Sequence, residues 1–440
     1  MIPLTHVCQY WRESIVSAPE NWVLISGRSR RLAVMSLEHA KSAPLDINLD
    51  TSSKGRWLSD LLIPYTQNTK TLTVYGLPAI ELKNALPKFP QSMSNLRSLT
   101  LVAHDDPGWD RFIDPFESFS HTLRYLKLTC IPLYPSLLKL GKLTELDLRD
   151  PQFNLHLDTL LDFLEENRSL ESATLDIKFT EPSLRSSRRR TPIRNRLRHL
   201  RIACFDPMEG QGLISNIALS EGAKLEFYGG IGARVNDVLS GIPTTHLSNL
   251  SSPTFMEYRT HARNIRLLGP NGSATFCCRS SPDIPFVEFP RLPLTNIRRL
   301  HLDTHGWKSI RPHPGPAVFH HLMFFPALEV LAVERNTDLS RLLSALISNP
   351  LSSPSLKTLA FLGCTITEGF MEELTRFASV RKNTPSAGLH RVVILRREGK
   401  FPSTTSVRQL EDYVLVVDVR DTKEIPADLT LWFDEQPDLF

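Results

Sequence analysis

No stretch of the 440-residue sequence approaches the run of about 18 apolar residues that a membrane-spanning helix requires. Cysteine is scarce: Cys8, Cys130, Cys204, Cys277, Cys278 and Cys364 make six in 440, and no two stand at C-x-x-C spacing. Such sparse, unpaired spacing excludes a disulfide scaffold and fits thiols packed as small hydrophobes in a reducing compartment. Glycine (20) is outnumbered by proline (32), so rigid turns and frequent helix stops are expected. The opening run from Met1 to Cys8 has neither a basic start nor a cleavable apolar core, and so does not read as a secretion signal. The chain is therefore expected to act inside the cell, cytoplasmic or nuclear. The Asn-x-Ser/Thr triplets at Asn167, Asn249 and Asn271 then read as chance matches.

Catalytic signatures are missing too. The sequence has no H-E-x-x-H, no G-x-S-x-G and no P-loop. The stretch Tyr228-Gly-Gly-Ile-Gly-Ala-Arg follows a strand-like Leu225-Glu-Phe but lacks the third glycine of a dinucleotide fingerprint. It reads instead as a tight turn ahead of a helix near Val235. The pairs His320-His321 and Cys277-Cys278 suggest metal only at first sight, because adjacent side chains rarely converge on one ion. No catalytic residue, metal or cofactor is expected, and the chain is not expected to be an enzyme.

Charge is concentrated rather than spread. Between Arg185 and Arg201 stand eight arginines and no acid. Setting them aside takes the basic count from 51 to 43 against 47 acidic residues, so the body is slightly acidic although the whole chain is +4. Pro182, Ser186, Ser187 and Pro192 surround these arginines and favour an exposed loop between two repeats, with a nuclear import signal or binding of an acidic partner as the alternatives. Little aromatic interleaving accompanies them, so nucleic acid is not the expected partner.

What is present is a recurring phrase, Leu-x-x-Leu-x-Leu. It runs Leu96/Leu99/Leu101, Leu123/Leu126/Leu128 and Leu143/Leu146/Leu148, then more loosely Leu170/Ala173/Leu175 and Leu197/Leu200/Ile202. Later copies are Ile297/Leu300/Leu302, Leu328/Leu331/Val333 and Leu356/Leu359/Phe361. On the middle anchor, Leu72, Leu99, Leu126, Leu146, Ala173, Leu200 and Leu225 are separated by 27, 27, 20, 27, 27 and 25 residues. Those intervals fall within the period of leucine-rich repeats. The spacing predicts an α/β leucine-rich-repeat solenoid, with a curved, mostly parallel sheet and helices outside it. Thr159 to Leu170, with Leu160, Leu161, Phe163 and Leu164, is the clearest connecting helix.

Three regions are expected. Residues 1–44 carry Leu4, Val7, Cys8 and Trp11 at helical spacing, then a second helix over Arg31–Ala43. Residues 45–388 form the irregular array, divergent over 225–297, where Ala262 to Cys278 reads as a hairpin about a Gly-Pro-Asn-Gly turn. Residues 389–440 read as a terminal cap with a strand, a helix and a final apolar strand. Residues flanking the inward leucines must face the other way and form the default surface for a protein partner. On that concave face stand Tyr125, Lys127, Glu145, Asp147, His199, Arg201, Arg299, His301 and Asp303, together with Ser98, Thr100, Ser172 and Thr174.

The opening segment resembles the second half of an F-box. Leu4, Val7, Cys8, Trp11, Arg12 and Glu13, then Ser17, Pro19 and Trp22, match its Val-Cys pair, its following Trp and its second Trp after a Pro. Joined to leucine-rich repeats, this resembles the F-box proteins numerous in mushroom-forming fungi. The strings from Ile2 to Ile15, His261 to Ser273 and Phe370 to Ala378 are similar to that group as well. The resemblance implies the substrate-recognition subunit of an Skp–cullin–F-box ubiquitin ligase. Leu4, Val7, Cys8, Trp11 and Trp22 would meet the Skp-type adaptor, and the repeats would hold a protein substrate. A full F-box opens with a helix carrying a Leu-Pro pair, and Met1 stands after it, so a truncated or degenerate F-box is expected. The alternative is an interaction scaffold that no longer binds the adaptor.

Overall fold

A Leu-x-Leu pair places two apolar side chains on one face of an extended chain. In the computed structural model all eight copies of the phrase end on a short strand. The structure describes residues 8–50, 62–78, 82, 93–104, 122–131, 135–149, 157–177, 192–194, 196–204, 207–231, 252–259, 264–270, 272–279, 294–303, 325–334, 339–348, 353–384, 387–396 and 402–421. The chain is α/β, its strands mostly parallel, and it divides into two units. One is Met1–Ala223 with Gly241–His246; the other is Lys224–Ser240 with Leu247–Phe440.

The first unit begins with helix α1 (Gln9–Ser17), a 3-10 turn (Pro19–Trp22), strand β1 (Leu24–Ser26) and helix α2 (Arg30–Ala40). Ser29 caps α2 by accepting from the Leu32 N–H. The Trp22 indole donates to the Ile15 carbonyl at 2.9 Å, and its ring lies 4.8 Å from that of His39. Trp22 thus ties α1 to α2 from inside this small core, with Ile15, Ala33, Leu37 and Ala40 around it.

Strands β2 (Leu45–Asp50), β3 (Thr69–Pro78), β4 (Ser98–His104), β5 (Tyr125–Thr129), β6 (Glu145–Arg149) and β7 (Ser172–Ile177) follow. After them come β8 (Ile193–Arg194), β9 (His199–Cys204) and β10 (Ile217–Ala218). β1 to β7 and then β9 pair in that order, every pair parallel; β8 and β10 form a separate parallel pair. The register aligns the leucines: Ile25, Ile47, Leu72, Leu99, Leu126, Leu146, Ala173 and Leu200 stand side by side, each buried. A second row runs Leu49, Val74, Leu101, Leu128, Leu148, Leu175 and Ile202. Each such leucine contributes about 1.5–3 kcal/mol by leaving water.

The turn ahead of each strand is fixed by the same bonds. The Arg97 N–H donates to the Lys70 carbonyl, Arg124 to Arg97, Thr144 to Arg124, Glu171 to Thr144 and Arg198 to Glu171. Hydroxyls add rungs, from Thr122 to the Leu96 carbonyl and from Ser169 to that of Leu143. Among the described connections of this unit three are helical, α2 and then α3 (Leu157–Glu166) and α4 (Pro207–Ile214); Ile63–Asn68 and Pro135–Leu140 are 3-10 turns. A helix does not fill every connection: across the 20-residue interval before Leu146 the described residues form the 3-10 turn Pro135–Leu140.

The second unit contains β11 (Lys224–Ile231), β12 (Phe255–Arg259), β13 (Asn264–Gly269), β14 (Gly272–Arg279), β15 (Arg299–Asp303), β16 (Val330–Glu334), β17 (Thr358–Leu362), β18 (Arg391–Arg396) and β19 (Val416–Asp421). β11 pairs in parallel with β14; β14, β13 and β12 form an antiparallel meander; β12 and β15 to β19 continue in parallel. The expected hairpin is β13–β14. Gly269 is required there, because a Cβ would sit 2.7 Å from the Ser252 carbonyl oxygen. The Gly-Gly-Ile stretch after Tyr228 is not a turn: it extends β11, with a register shift between Gly229 and Ile231. The helix expected near Val235 lies outside the described residues.

Helices α5 (Leu339–Ser348), α6 (Glu368–Lys382) and α7 (Thr404–Glu411) pack successively beside one another. Phe361 of β17 meets Phe370 of α6 edge-on at 5.0 Å. Arg381, 1% exposed, donates from Nη1 to the Ser353 carbonyl at 2.9 Å and from Nη2 to that of Leu356 at 2.7 Å. It thereby binds α6 to the turn before β17.

Two stability outcomes follow. Leu126→Asp buries a carboxylate in the inward row and should cost the first unit more than about 3 kcal/mol in urea denaturation; wild-type melting would refute the register. Arg381→Met strands carbonyls in the core and should cost about 2–4 kcal/mol. Arg381→Lys should recover only part of that, since an ammonium lacks the guanidinium fork.

Candidate functional site

Alternation decides which sheet face is available. In β5 the sequence Tyr-Leu-Lys-Leu-Thr buries both leucines and leaves Tyr125, Lys127 and Thr129 partly exposed. In β6 the sequence Glu-Leu-Asp-Leu-Arg does the same with Glu145, Asp147 and Arg149. β7 and β9 continue the pattern with Ser172, Thr174, Asp176, His199 and Arg201. Register places Lys127, Asp147, Thr174 and Arg201 in one row, with Tyr125, Glu145, Ser172 and His199 beside it.

Asp147 is the hub of this face. Its Oδ1 accepts from Arg149 Nε at 2.8 Å, and its Oδ2 lies 3.4 Å from Lys127 Nζ. The hydrogen bond to Asp147 outweighs partial burial and raises the Arg149 pKa. Burial, with the carboxylates of Asp147 and Glu145 close by, pushes the Tyr125 phenol above its ordinary value of 10.0. Tyr125 therefore presents a neutral hydroxyl, able to donate and to accept. Tyr75 of β3 adds a second aromatic ring, 41% exposed. The cluster offers directed hydrogen bonds, both signs of charge and two phenols. These are groups that can hydrogen-bond and pair with charge on a partner surface. Among the described residues, no three or more His, Cys, Asp or Glu side chains are grouped to hold a metal ion.

The second unit differs. There Arg299 is exposed, but His301 and Asp303 are 1% and 3% exposed. They do face away from Leu300 and Leu302, yet this face is buried as well. Ala332, Ala360, Leu362, Val393 and Leu395 pack into a second apolar cluster on it, with Phe255 and Val330 against them. Strands β16 to β18 are thus buried on both sides, and His301 and Asp303 are not part of an open surface. The sequence carried the signal. Val330-Leu-Ala-Val, Leu359-Ala-Phe-Leu and Val392-Val-Ile-Leu are continuous apolar runs, whereas β5 and β6 alternate strictly.

Of the residues matched to the F-box, Leu4 and Val7 lie outside the described residues. Cys8 is exposed and caps α1, its sulfur accepting from the Trp11 N–H at 3.5 Å. Trp11 is 52% exposed and Tyr10 75%, so α1 shows two aromatic rings to solvent. Trp22 is a core residue at 5% exposure and cannot meet a partner directly. In the basic segment, Arg185 and Arg188 to Arg190 lie outside the described residues, while Arg196, Arg198 and Arg201 are exposed. Asn167 is fully buried, where its side-chain amide donates to the Phe163 carbonyl at 2.9 Å, so it is no glycan acceptor.

No protein-family model matches the chain, and no curated protein matches it significantly.

Replacing Asp147 with Asn should bring the Tyr125 phenol back toward its ordinary pKa, read by NMR titration of the ring. The fold should hardly notice, with less than about 1 kcal/mol lost, because these ion pairs are partly solvated. An unchanged phenol titration would show that Asp147 does not govern this face.

Proposed function

We propose that this chain is a non-catalytic protein-recognition subunit acting inside the cell, and that it serves as the substrate receptor of an Skp–cullin–F-box ubiquitin ligase. The observation that carries the recognition reading is the open polar face of the first unit's sheet. Tyr125, Lys127, Glu145, Asp147, His199 and Arg201 stand there on strands locked from behind by two leucine rows. A rigid backbone presenting mixed charge and phenols pays little ordering entropy when a protein docks. Mixed charge also suits a folded protein or peptide better than a polyanion. This recognition surface belongs to an irregular leucine-rich-repeat array, as the phrase spacing suggests.

The ligase reading adds the adaptor. Support for it comes from the F-box-like phrase and from Tyr10 and Trp11, two exposed rings on α1 of the kind that dominate interface energetics. Burial of Trp22 favours a second reading, in which α1 and α2 only cap the sheet and the chain is a scaffold without adaptor.

A pull-down with a purified Skp-type adaptor separates the two. The ligase reading expects capture that Trp11→Ala weakens at least about tenfold, with circular dichroism unchanged. Absence of capture by the folded chain would leave the scaffold reading in its place.

A further inference from the structure

A polar cluster lies buried in the second unit. His301 of β15 stands opposite Glu257 of β12 on one side and Ala332 of β16 on the other. Its Nδ1 lies 3.3 Å from Glu257 Oε1, and its Nε2 lies 3.3 Å from Glu334 Oε2. The Nδ1 contact has hydrogen-bond geometry; the Nε2 contact is close but poorly aligned. The His301 and Glu257 side chains are each 2% exposed, and that of Glu334 is 15% exposed.

Other charged groups face this point from the elements around it. Asp303, on the same strand, is buried, and Arg266 of β13 stands opposite Glu257. Arg299 lies at the exposed start of β15. Beyond β16 the row is neutral, with Ala360 and Val393. Among the described residues, Glu257 and Glu334 contact the buried imidazole.

We propose that the Glu257–His301–Glu334 cluster is a pH latch: a protonated His301 holds β12, β15 and β16 together, and its deprotonation as pH rises releases them. Removing two charges from water is costly, and a buried ion cluster persists only while its charges compensate. With the proton gone, Glu257 and Glu334 lose the cation between them, and their mutual repulsion acts in a medium of low polarity. Burial alone disfavours the imidazolium, but the two glutamates outweigh it and raise the His301 pKa above 6.5. A raised histidine pKa means the stabilisation is complete below the unfolded-state value. It is then lost as pH climbs through the folded-state value.

The test uses the full chain. Hydrogen–deuterium exchange is followed from pH 6 to pH 9, corrected for the intrinsic rate, on peptides covering 252–259, 294–303 and 325–334. Opening of these strands should increase with pH, at up to about tenfold per pH unit, the slope of a single proton. Peptides of β5 and β6 should not share that increase. His301→Gln should abolish the slope. If that variant does not fold, Glu334→Gln provides the comparison and should move the release to lower pH. NMR titration of the wild-type imidazole should place its pKa above that of a free histidine. A lower pKa, or equal exchange slopes in both units, would overturn the latch.

Discussion

In-register parallel pairing is the constraint on which the rest depends. A parallel strand offers its neighbour evenly spaced hydrogen bonds, and the register aligns like positions. Once Leu99 is opposite Leu126, Leu101 must be opposite Leu128, and the residues between them must form a row on the reverse face. Two inward rows and the polar row behind them are therefore one decision. Bonds from each turn to the next, such as those of Arg97, Arg124 and Thr144, transmit that decision along the first unit.

The same rule produces opposite surfaces in the two units. Where the intervening residues are Lys127, Asp147 and Arg201, the reverse face remains open and polar. Where they are Ala332, Ala360 and Val393, it is apolar and buried. Small alanines on that face permit close packing and leave no polar group to satisfy. His301 and Glu257 interrupt this apolar cluster, and they are tolerated because they compensate one another. Arg381 follows the same logic on the helical side, where backbone carbonyls take up its donors.

The N-terminal helices show one residue type in two roles. Trp22 and Trp11 stand in the same opening segment, yet one supports the core between α1 and α2 and the other projects from α1. An indole suits either, being a large apolar body with a single donor. The Trp22 donor is used internally, on Ile15.

The sequence by itself determined the strands that carry the repeated phrase and their inward residues. Period-2 alternation and a near-27-residue interval made Leu99, Leu126 and Leu146 legible as one row, and Gly269 to Gly272 legible as a hairpin turn. These are local or periodic properties, and pairing only makes them adjacent. It also determined the polar residues of β5 and β6, since alternation leaves them no other face. The apolar runs of β16 to β18 also mark a covered reverse face, but only tertiary structure extended that cover to His301 and Asp303 of β15. His301 and Asp303 read from sequence like Asp147, polar residues beside leucines, but burial depends on packing remote in the chain. It alone brought Glu334 within reach of His301, across the gap between two strands that are 31 residues apart at Arg299 and Val330. It also set Trp22 inward and Trp11 outward, because a helix pair chooses its inner face by what it packs against.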